Sequence, residues 1–284
     1  HDDQHGTAIV VAAALLNALA LKHKTLADVR IVCAGAGAAG IASMTLLRDL
    51  GAKSEHILLL DSQGVIHAGR EHLNAYKQPF AAQTACRTLA EALQGADVFI
   101  GLARPDLLDD AMLAAMAGNP IIFALSNPDP EVHPAQVYEA RPDAIVATGR
   151  SDYPNQVNNV LCFPYLFRGA LAVRATAINR AMHLAAVEAI RQLVHRPVPE
   201  SVKQHYPQGT LWDFSEHYIL PKPIDPRLKD EVTRAVAKAA VPGRIHPALA
   251  GWPRESMGSI RNEGCSAGLL VAPPALPIGG STCF

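Results

Sequence analysis

Three glycines at a fixed spacing form the segment of this sequence best suited to hold a phosphate-bearing ligand. Gly35-Ala36-Gly37-Ala38-Ala39-Gly40, here called the glycine turn, separates a short apolar run from residues with helical periodicity. In a dinucleotide-binding βαβ unit the first glycine allows a tight turn, the second lets the backbone approach a pyrophosphate, and the third lets helix and strand pack closely. The helix N-terminus adds free N–H groups and a partial positive charge. We therefore expect a dinucleotide at the glycine turn.

A carboxylate follows the glycine turn at the distance where it can accept hydrogen bonds from a ribose. Asp61 ends the apolar run 57–60 and lies 21 residues after Gly40. Glycine turns also occur without a ligand, but here strand, turn, helix, second strand and acid follow in order. Asp61 would accept an NAD ribose hydroxyl and repel the 2′-phosphate of NADP, whereas Arg70 and Lys77 in the next loop could offset that repulsion.

Two adjacent acids open the chain and allow two interpretations. Asp2 and Asp3 stand directly before a helical run, where acids commonly cap the helix N-terminus. Carboxylates beside His and Thr could instead supply one ligand to a hard divalent cation. From the residues alone, capping is the commoner use.

Amide side chains cluster where a polar loop meets an apolar run. Asn155, Asn158 and Asn159 precede the apolar residues 160–163, and Asn127 lies in a turn after a predicted strand. Asparagine is a common turn former, so a solvated loop is one interpretation. Amides held near a core must otherwise be satisfied by backbone or by a ligand, and they suit a carboxylate-bearing substrate or a carboxamide ring.

Alternating apolar runs and helical stretches must position these groups. The apolar runs predict five strands, at 30–34, 57–61, 96–101, 120–125 and 144–147. Helical periodicity predicts helices at 7–21, 38–50, 84–93, 105–116, 175–193 and 229–240, with His183 and Arg191 on a solvated face. Strands that are apolar throughout favour an α/β fold with a Rossmann-like, doubly wound parallel sheet and flanking helices. Ligands bind beyond the carboxyl ends of such strands, which places residues 35–40, 61, 103–105, 127 and 148–150 around one crevice.

Composition narrows the classes of function. The formal net charge is −1 and 18% of residues are charged, which gives no sign of a nucleic-acid surface. Five scattered cysteines show no metal-binding spacing and fit a reducing cytoplasm. The apolar stretch Thr7–Leu21 is shorter than the ~20 residues of a membrane span, so we expect no membrane insertion.

The two ends of the chain differ from its middle. The first residue is His1 rather than Met, from which we expect a fragment or a processed chain. The last 44 residues, 241–284, contain 13 glycines or prolines and no sustained period, which predicts a disordered extension to a domain spanning 1–240.

Seven segments in order over roughly residues 1–240 resemble the malic enzymes, in particular the bacterial NADP-dependent forms. They read HDDQHGTAIV, GAGAAGIA, DSQGVIHAGRE, ALSNPDPE, ATGRSDYPNQVNNVLCFP, FRGALAVRATAIN and YILPKPIDPRL. The resemblance implies the NAD(P)-binding half of an enzyme that oxidises L-malate, decarboxylates the product to pyruvate, and uses Mg²⁺ or Mn²⁺. It implies NADP rather than NAD, against the signal from Asp61, and a homo-oligomer for the full-length enzyme.

The resemblance also assigns roles to single residues. Asp3 resembles the metal-ligand aspartate of the DDxxGTA motif, with Asp2 as its partner. Asn127 and Asn159 resemble residues that contact the substrate. Asn127 and Asn158 resemble residues that contact the nicotinamide ribose.

Three features depart from the family pattern. The family's general-acid tyrosine, general-base lysine, substrate arginine and two further acidic ligands belong to an N-terminal half that has no match here, so we assign no catalytic residue. Arg104 stands where the family has a small residue, and could perturb the cofactor or fold away. The resemblance ends after Ala240. Two alternatives therefore stay open: another dehydrogenase of the same fold, and a dinucleotide-binding module without catalysis.

Overall fold

A six-stranded sheet forms the centre of the protein. The computed structural model describes residues 1–240, so the predicted disordered extension at 241–284 lies outside the described residues. The strands are β1 (Ile31–Ala34), β2 (Ile57–Asp61), β3 (Gly64–Val65), β4 (Val98–Gly101), β5 (Ile121–Ala124) and β6 (Ile145–Thr148). Their order is β3-β2-β1-β4-β5-β6, and all neighbours are parallel except the β2–β3 pair. The chain thus leaves β1 in one direction towards β2 and returns on its other side at β4, which confirms the predicted doubly wound sheet.

Helices cover both faces of this sheet. They are α1 (Thr7–Leu21), α2 (Ala38–Asp49), α3 (Leu89–Leu93), α4 (Asp110–Ala115), α5 (Pro134–Ala140), α6 (Tyr165–Ala172), α7 (Arg180–Leu193), α8 (Glu200–Lys203) and α9 (Arg227–Ala240). One apolar core lies between the sheet and α1, α2, α7 and α9, and a second lies between the sheet and α3 to α5. Because both faces are covered, every residue of β1, β4, β5 and β6 is buried, as their unbroken apolar runs predict.

The first helix is buried on nearly all sides. Residues Ile9 to Leu15 have no measurable exposure, and α1 packs against α2 and α7. A π-helical turn, Asp2–Gly6, continues directly into α1, so the combined helix has 20 residues rather than 15. By length and composition this helix could cross a membrane, contrary to the sequence expectation, but two thirds of its most apolar window is buried inside the described fold.

Local capping explains why three helices begin later than hydrophobic periodicity predicts. The side chain of Thr88 accepts from the backbone of Glu91 in a capping box, so α3 begins at residue 89 rather than 84. The side chains of Asp109 and Asn179 likewise accept from backbone N–H groups at the starts of α4 and α7. These helices begin at residues 110 and 180, each five residues after the predicted start. Apolar side chains continue the helical period upstream of each cap, and periodicity alone therefore overextends the helix.

Four short elements have no strong sequence pattern and were not predicted. They are the antiparallel edge strand β3 and the helices α5, α6 and α8. The two residues of β3 and the four of α8 are too few to show a period. The four elements alter the edges of the sheet and the layer around α7 without changing the topology.

Candidate functional site

The glycine turn has the geometry of a phosphate-binding loop. Gly35 has a φ of +113°, and a Cβ there would collide with the backbone of Leu102 in the loop after β4. A Cβ on Gly40 would collide with the carbonyl of Gly35, so this glycine allows helix α2 to approach the strand. Gly37, the N-cap of α2, is different, because a Cβ there would meet no atom within 4 Å. The first turn of α2 therefore opens onto free space with no capping side chain and no acid, as an anion site requires.

Three charged side chains meet at the end of β2. Arg70 donates to both carboxylate oxygens of Asp61, each at 2.9 Å, and Lys77 Nζ lies 2.6 Å from Oδ2. We call Asp61, Arg70 and Lys77 the β2 charge cluster. Burial raises the pKa of the Asp61 carboxyl, but hydrogen bonds from the two cations and from the backbone N–H of Gln63 outweigh it and hold that pKa well below its usual range. The cluster carries two positive charges against one negative charge, which was not predictable from the position of Asp61 alone.

A buried carboxylate that sequence reasoning missed joins the loops after β4 and β5. Glu131 has no exposed surface, and its Oε1 accepts from the backbone N–H of Ala103 at 2.9 Å. Its Oε2 accepts from the N–H of Ser126 at 3.0 Å. Burial raises the pKa of Glu131, and the backbone hydrogen bonds oppose that shift. The proline-rich context of Glu131 gives no periodic signal. Its place at the end of the segment ALSNPDPE is the one sequence feature that singles it out.

Asn127 lies on the same edge of the sheet, against the loop after β6. Its Nδ2 donates to the carbonyl of Leu125 at 3.3 Å, and a Cβ on Gly149 would lie 2.8 Å from that nitrogen. Gly35, the loop at Ala103, Asn127 and Gly149 thus follow one another along the carboxyl ends of β1, β4, β5 and β6. The structure therefore places these residues along one edge of the sheet, and their role in binding a ligand stays a prediction.

The two opening acids behave differently from helix caps. Neither Asp2 nor Asp3 caps the π-helical turn, whose N-cap is His1 without a side-chain bond. Asp2 turns inward: its Oδ2 accepts from Nδ2 of Asn159 at 2.7 Å, and its buried Oδ1 has no partner among the described residues. Burial, followed by repulsion from Asp3, raises the pKa of Asp2. Asp3 faces solvent, with 82% of its side chain exposed.

A cavity of about 160 Å³ adjoins Asp2. Asp2, His5, Cys162, Phe163 and His183 are among its lining residues. The rings of His5 and His183 stack with centroids 5.3 Å apart. Burial, with a smaller contribution from His5, lowers the pKa of His183 to about 4, so its ring is uncharged near neutral pH.

Two side chains of α7 therefore differ from the prediction of a solvated face. His183 borders the cavity because α7 packs against α1, whose preceding turn carries His5. Arg191 is only partly exposed and pairs with the buried Glu188, at 2.9 Å. Packing on both sides of α7 overrides the polarity that its sequence suggests.

The other asparagines of the polar loop hold the backbone in place. Asn155 is buried; its Nδ2 donates to the carbonyls of Val146 and Glu216, and its Oδ1 accepts from the N–H of Ile219. Asn158 Oδ1 accepts from the N–H of Val160 at 3.0 Å and caps the short 3₁₀ turn that contains Asn159. The amide nitrogen of Asn158 forms no hydrogen bond among the described residues and can donate to a ligand.

The described residues supply only part of a divalent metal site. Asp3 is open to solvent and Asp2 has an unpartnered oxygen, so both carboxylates could contribute oxygen ligands. Within residues 1–240, however, there is no group of three or more His, Cys, Asp or Glu side chains placed to hold a metal ion. The donor chemistry fits Mg²⁺ or Mn²⁺, and a complete site needs further ligands.

Comparison with known proteins agrees with this geometry. Residues 4–211 match the model of the malic enzyme NAD-binding domain. The NADP-dependent malic enzyme of Halomonas elongata is 54% identical over 262 residues, which cover 92% of this chain and 62% of that protein. The NAD-dependent malic enzyme of Rhizobium meliloti is 49% identical over 241 residues, 84% of this chain and 31% of that protein. The Halomonas match is longer than residues 1–240, so similarity to this relative extends beyond Ala240, where we expected it to end.

Solved structures show the same relationship. The malic enzyme of Pyrococcus horikoshii has a TM-score of 0.75 at 37% identity, covering 84% of this chain and 54% of that one. The NAD-dependent malic enzyme of Thermotoga maritima has a TM-score of 0.73 at 38% identity, covering 84% and 59%. The chain thus spans less than two thirds of the length of these relatives. With its fold, its glycine turn and these matches, the chain belongs to the malic enzyme family and contains the family's NAD-binding domain.

Proposed function

We propose that this chain is the cofactor-binding part of an enzyme that oxidises L-malate with NADP⁺ and decarboxylates the product to pyruvate and CO₂. The observation that carries the proposal is the hydrogen bond between Asp2 and Asn159, at 2.7 Å. It joins residues 157 positions apart, one from the DDxxGTA motif and one from the polar loop, beside a cavity and against helix α2. The amide of Asn159 can both donate and accept, as a hydroxylated, carboxylate-bearing substrate requires, and Asp2 holds that amide in place.

The glycine turn and the start of α2 hold the pyrophosphate in this proposal. A Cβ on Gly37 would meet no atom within 4 Å, so the start of α2 is open to a phosphate there, and the helix adds its partial positive charge. The β2 charge cluster then receives the adenosine ribose, and Asn127 and Asn158 lie towards the nicotinamide ribose beyond β5 and β6. Asn127 and Asn159 contact the substrate. In this proposal the nicotinamide end of the cofactor points towards the cavity beside Asp2.

A divalent cation, Mg²⁺ or Mn²⁺, is the second group that the proposal includes. When bound, it would polarise the oxygens of malate and offset the negative charge that develops as CO₂ leaves. Asp3 provides one ligand oxygen from the solvent side, and Asp2 holds Asn159 in place beside it. The remaining ligands, the acid and the base come from a part of the enzyme outside the matched motifs.

NADP rather than NAD is supported by the charge of the β2 charge cluster. Arg70 and Lys77 already neutralise Asp61 and leave one excess positive charge where a 2′-phosphate would bind. The sequence signal from Asp61 for NAD is therefore weakened by its partners. NADP-dependent and NAD-dependent enzymes both occur among the relatives, so this choice rests on the cluster.

The proposal also includes a cellular compartment and an oligomeric state for the enzyme. Cys33, Cys86 and Cys162 are free, which supports a reducing compartment such as the cytoplasm. We propose a homo-oligomer for the full-length enzyme by resemblance to its family.

Replacement of Gly37 tests the cofactor site. Isothermal titration of the 284-residue chain with NADP⁺ should give a dissociation constant in the range of about 1 μM to 1 mM. Gly37→Val should abolish this binding without unfolding the chain, because a side chain at Gly37 meets no protein atom but blocks the phosphate. Gly118→Val is the matched control and should bind NADP⁺ as the wild type does. Gly118 also has open space around it, but it lies before the N-terminal end of β5, at the opposite edge of the sheet from the glycine turn. Unchanged NADP⁺ affinity in Gly37→Val would refute the site.

A further inference from the structure

We infer that Glu131 is a positioning residue for the nicotinamide end of the cofactor. Its carboxylate ties the loop after β4 to the loop after β5, and these loops form the wall of the crevice on the far side of β1 from the β2 charge cluster. The inference rests on the proposed dinucleotide site. Glu131 is the last residue of the segment ALSNPDPE, and the resemblance assigned it no role.

The contacts of Glu131 are unusual for a buried charge. Its two oxygens accept from the N–H groups of Ala103 and Ser126, at 2.9 and 3.0 Å. Among residues 1–240 no Lys, Arg or His side chain forms an ion pair with it. Burying a carboxylate is costly, and hydrogen bonds to the charged form recover part of that cost. The backbone of two crevice loops thus provides the stabilisation that a cation would otherwise provide.

The rest of the fold makes room for this carboxylate. Gly101, the last residue of β4, faces it so closely that any Cβ would overlap the carboxyl group. The backbone carbonyl of Glu131 also accepts from Leu107 and Leu108, at 2.7 and 3.1 Å. Glu131 therefore fastens the loop after β4 at two points, near its start through the side chain and near its end through the backbone.

The position of these loops identifies which half of the cofactor they meet. A dinucleotide crosses a doubly wound sheet at the point where the strand order reverses, here between β1 and β4. The adenosine ribose lies on the β2 side, where Asp61 is. The loops after β4 and β5 then lie beside the nicotinamide end, and Ser126 directly precedes Asn127. Glu131 acts on the cofactor through these loops and does not contact it.

Glu131→Gln separates this role from general stability. Glutamine has nearly the same shape but one acceptor oxygen, and its NH₂ group would face a backbone N–H donor. The test compares two probes, NADP⁺ and 2′-phospho-ADP-ribose, which lacks the nicotinamide. Glu131→Gln should bind NADP⁺ about tenfold more weakly, the loss expected for one charged hydrogen bond, and bind 2′-phospho-ADP-ribose as the wild type does. Glu139→Gln, at an exposed site on α5, is the control and should change neither affinity.

Hydrogen exchange on the wild-type chain provides a second measurement that needs no variant. The amides of Ala103 and Ser126 should exchange slowly even though they lie in loops, because Glu131 holds them. Fast exchange at either amide would overturn the inference. It would also be overturned if Glu131→Gln lost equal affinity for both probes, or lost affinity for neither. A wild-type chain that binds neither probe would instead refute the dinucleotide site itself, and the inference with it.

Discussion

Removal of Lys77 tests how the β2 charge cluster selects the cofactor. Lys77 and Arg70 both bind Asp61. The exposed fraction of the side chain is 23% for Lys77, 13% for Arg70 and 10% for Asp61. Lys77→Met removes one of two cations and leaves Arg70 and Asp61 as a neutral pair. Two unit charges 4 Å apart interact by about 4 kcal/mol at an effective dielectric constant of 20, and a hydrogen bond to a charged group contributes about 1.5–3 kcal/mol net. We use the hydrogen-bond value of about 1.5–3 kcal/mol, because the phosphate also loses solvation when it binds.

The expected result is a change in the affinity for NADP⁺ and little change for NAD⁺. Lys77→Met should weaken NADP⁺ binding by about 10- to 100-fold, which corresponds to about 1.4–2.8 kcal/mol. Asp61→Asn should act in the opposite direction, because it leaves two cations without their carboxylate. Titration calorimetry of the 284-residue chain with both cofactors measures these effects, and added salt should reduce the wild-type preference for NADP⁺.

A matched control keeps the interpretation specific. Lys53→Met removes a lysine that pairs with Asp28 at an exposed site, and should leave both affinities unchanged. Lys77→Met could instead weaken the binding of NADP⁺ and NAD⁺ equally, or change neither affinity. Either result would show that the cluster does not contact the 2′-phosphate. A wild-type chain that clearly prefers NAD⁺ would also contradict the proposal.

Two further predictions concern stability and the unusual Arg104. Burial raises the pKa of Asp61, but the stronger effect of its hydrogen-bond partners holds this pKa below the ordinary value in the folded state. The cluster therefore stabilises the fold above about pH 4 and loses that contribution as the pH falls below the unfolded-state pKa. As the pH is lowered, the free energy of unfolding by urea should fall less steeply in Lys77→Met than in the wild type. Arg104 is exposed and forms no ion pair within the described part of the chain, so Arg104→Ser should change the free energy of unfolding by less than about 0.5 kcal/mol and leave NADP⁺ affinity unchanged; a large gain in affinity would show that Arg104 obstructs the cofactor.

The sheet and the glycine turn were predictable because they depend on local patterns. Fully buried strands give unbroken apolar runs, and the turn combines a positive φ at Gly35 with close packing at Gly40. Helix starts were less predictable, since single hydrogen bonds from Thr88 or Asp109 end the helical period that apolar residues continue.

The contacts within the site could not be read from the sequence. Asp2 and Asn159 meet only because α1 and the polar loop pack against each other, and no local pattern links positions so far apart. Glu131 lies in a proline-rich turn that resembles ordinary loop, yet it is completely buried. His183 has the spacing of a surface residue, but α7 is covered on the side that carries it. Polar residues with long-range partners are therefore the ones that sequence patterns misplace.

Malate-dependent formation of NADPH tests the central claim most directly. It should be measured for the 284-residue chain alone and for the chain fused behind the N-terminal part of the Halomonas elongata relative. The isolated chain should bind NADP⁺ without reducing it, because each missing acid or base costs about 10²- to 10⁴-fold in rate and the metal has only part of its ligands. The fusion should form NADPH with malate and Mn²⁺, and Asp3→Ala should abolish that activity. An isolated chain that turns over at the ordinary rate of a dehydrogenase, about 1–10³ s⁻¹, or a fusion unaffected by Asp3→Ala, would contradict the account.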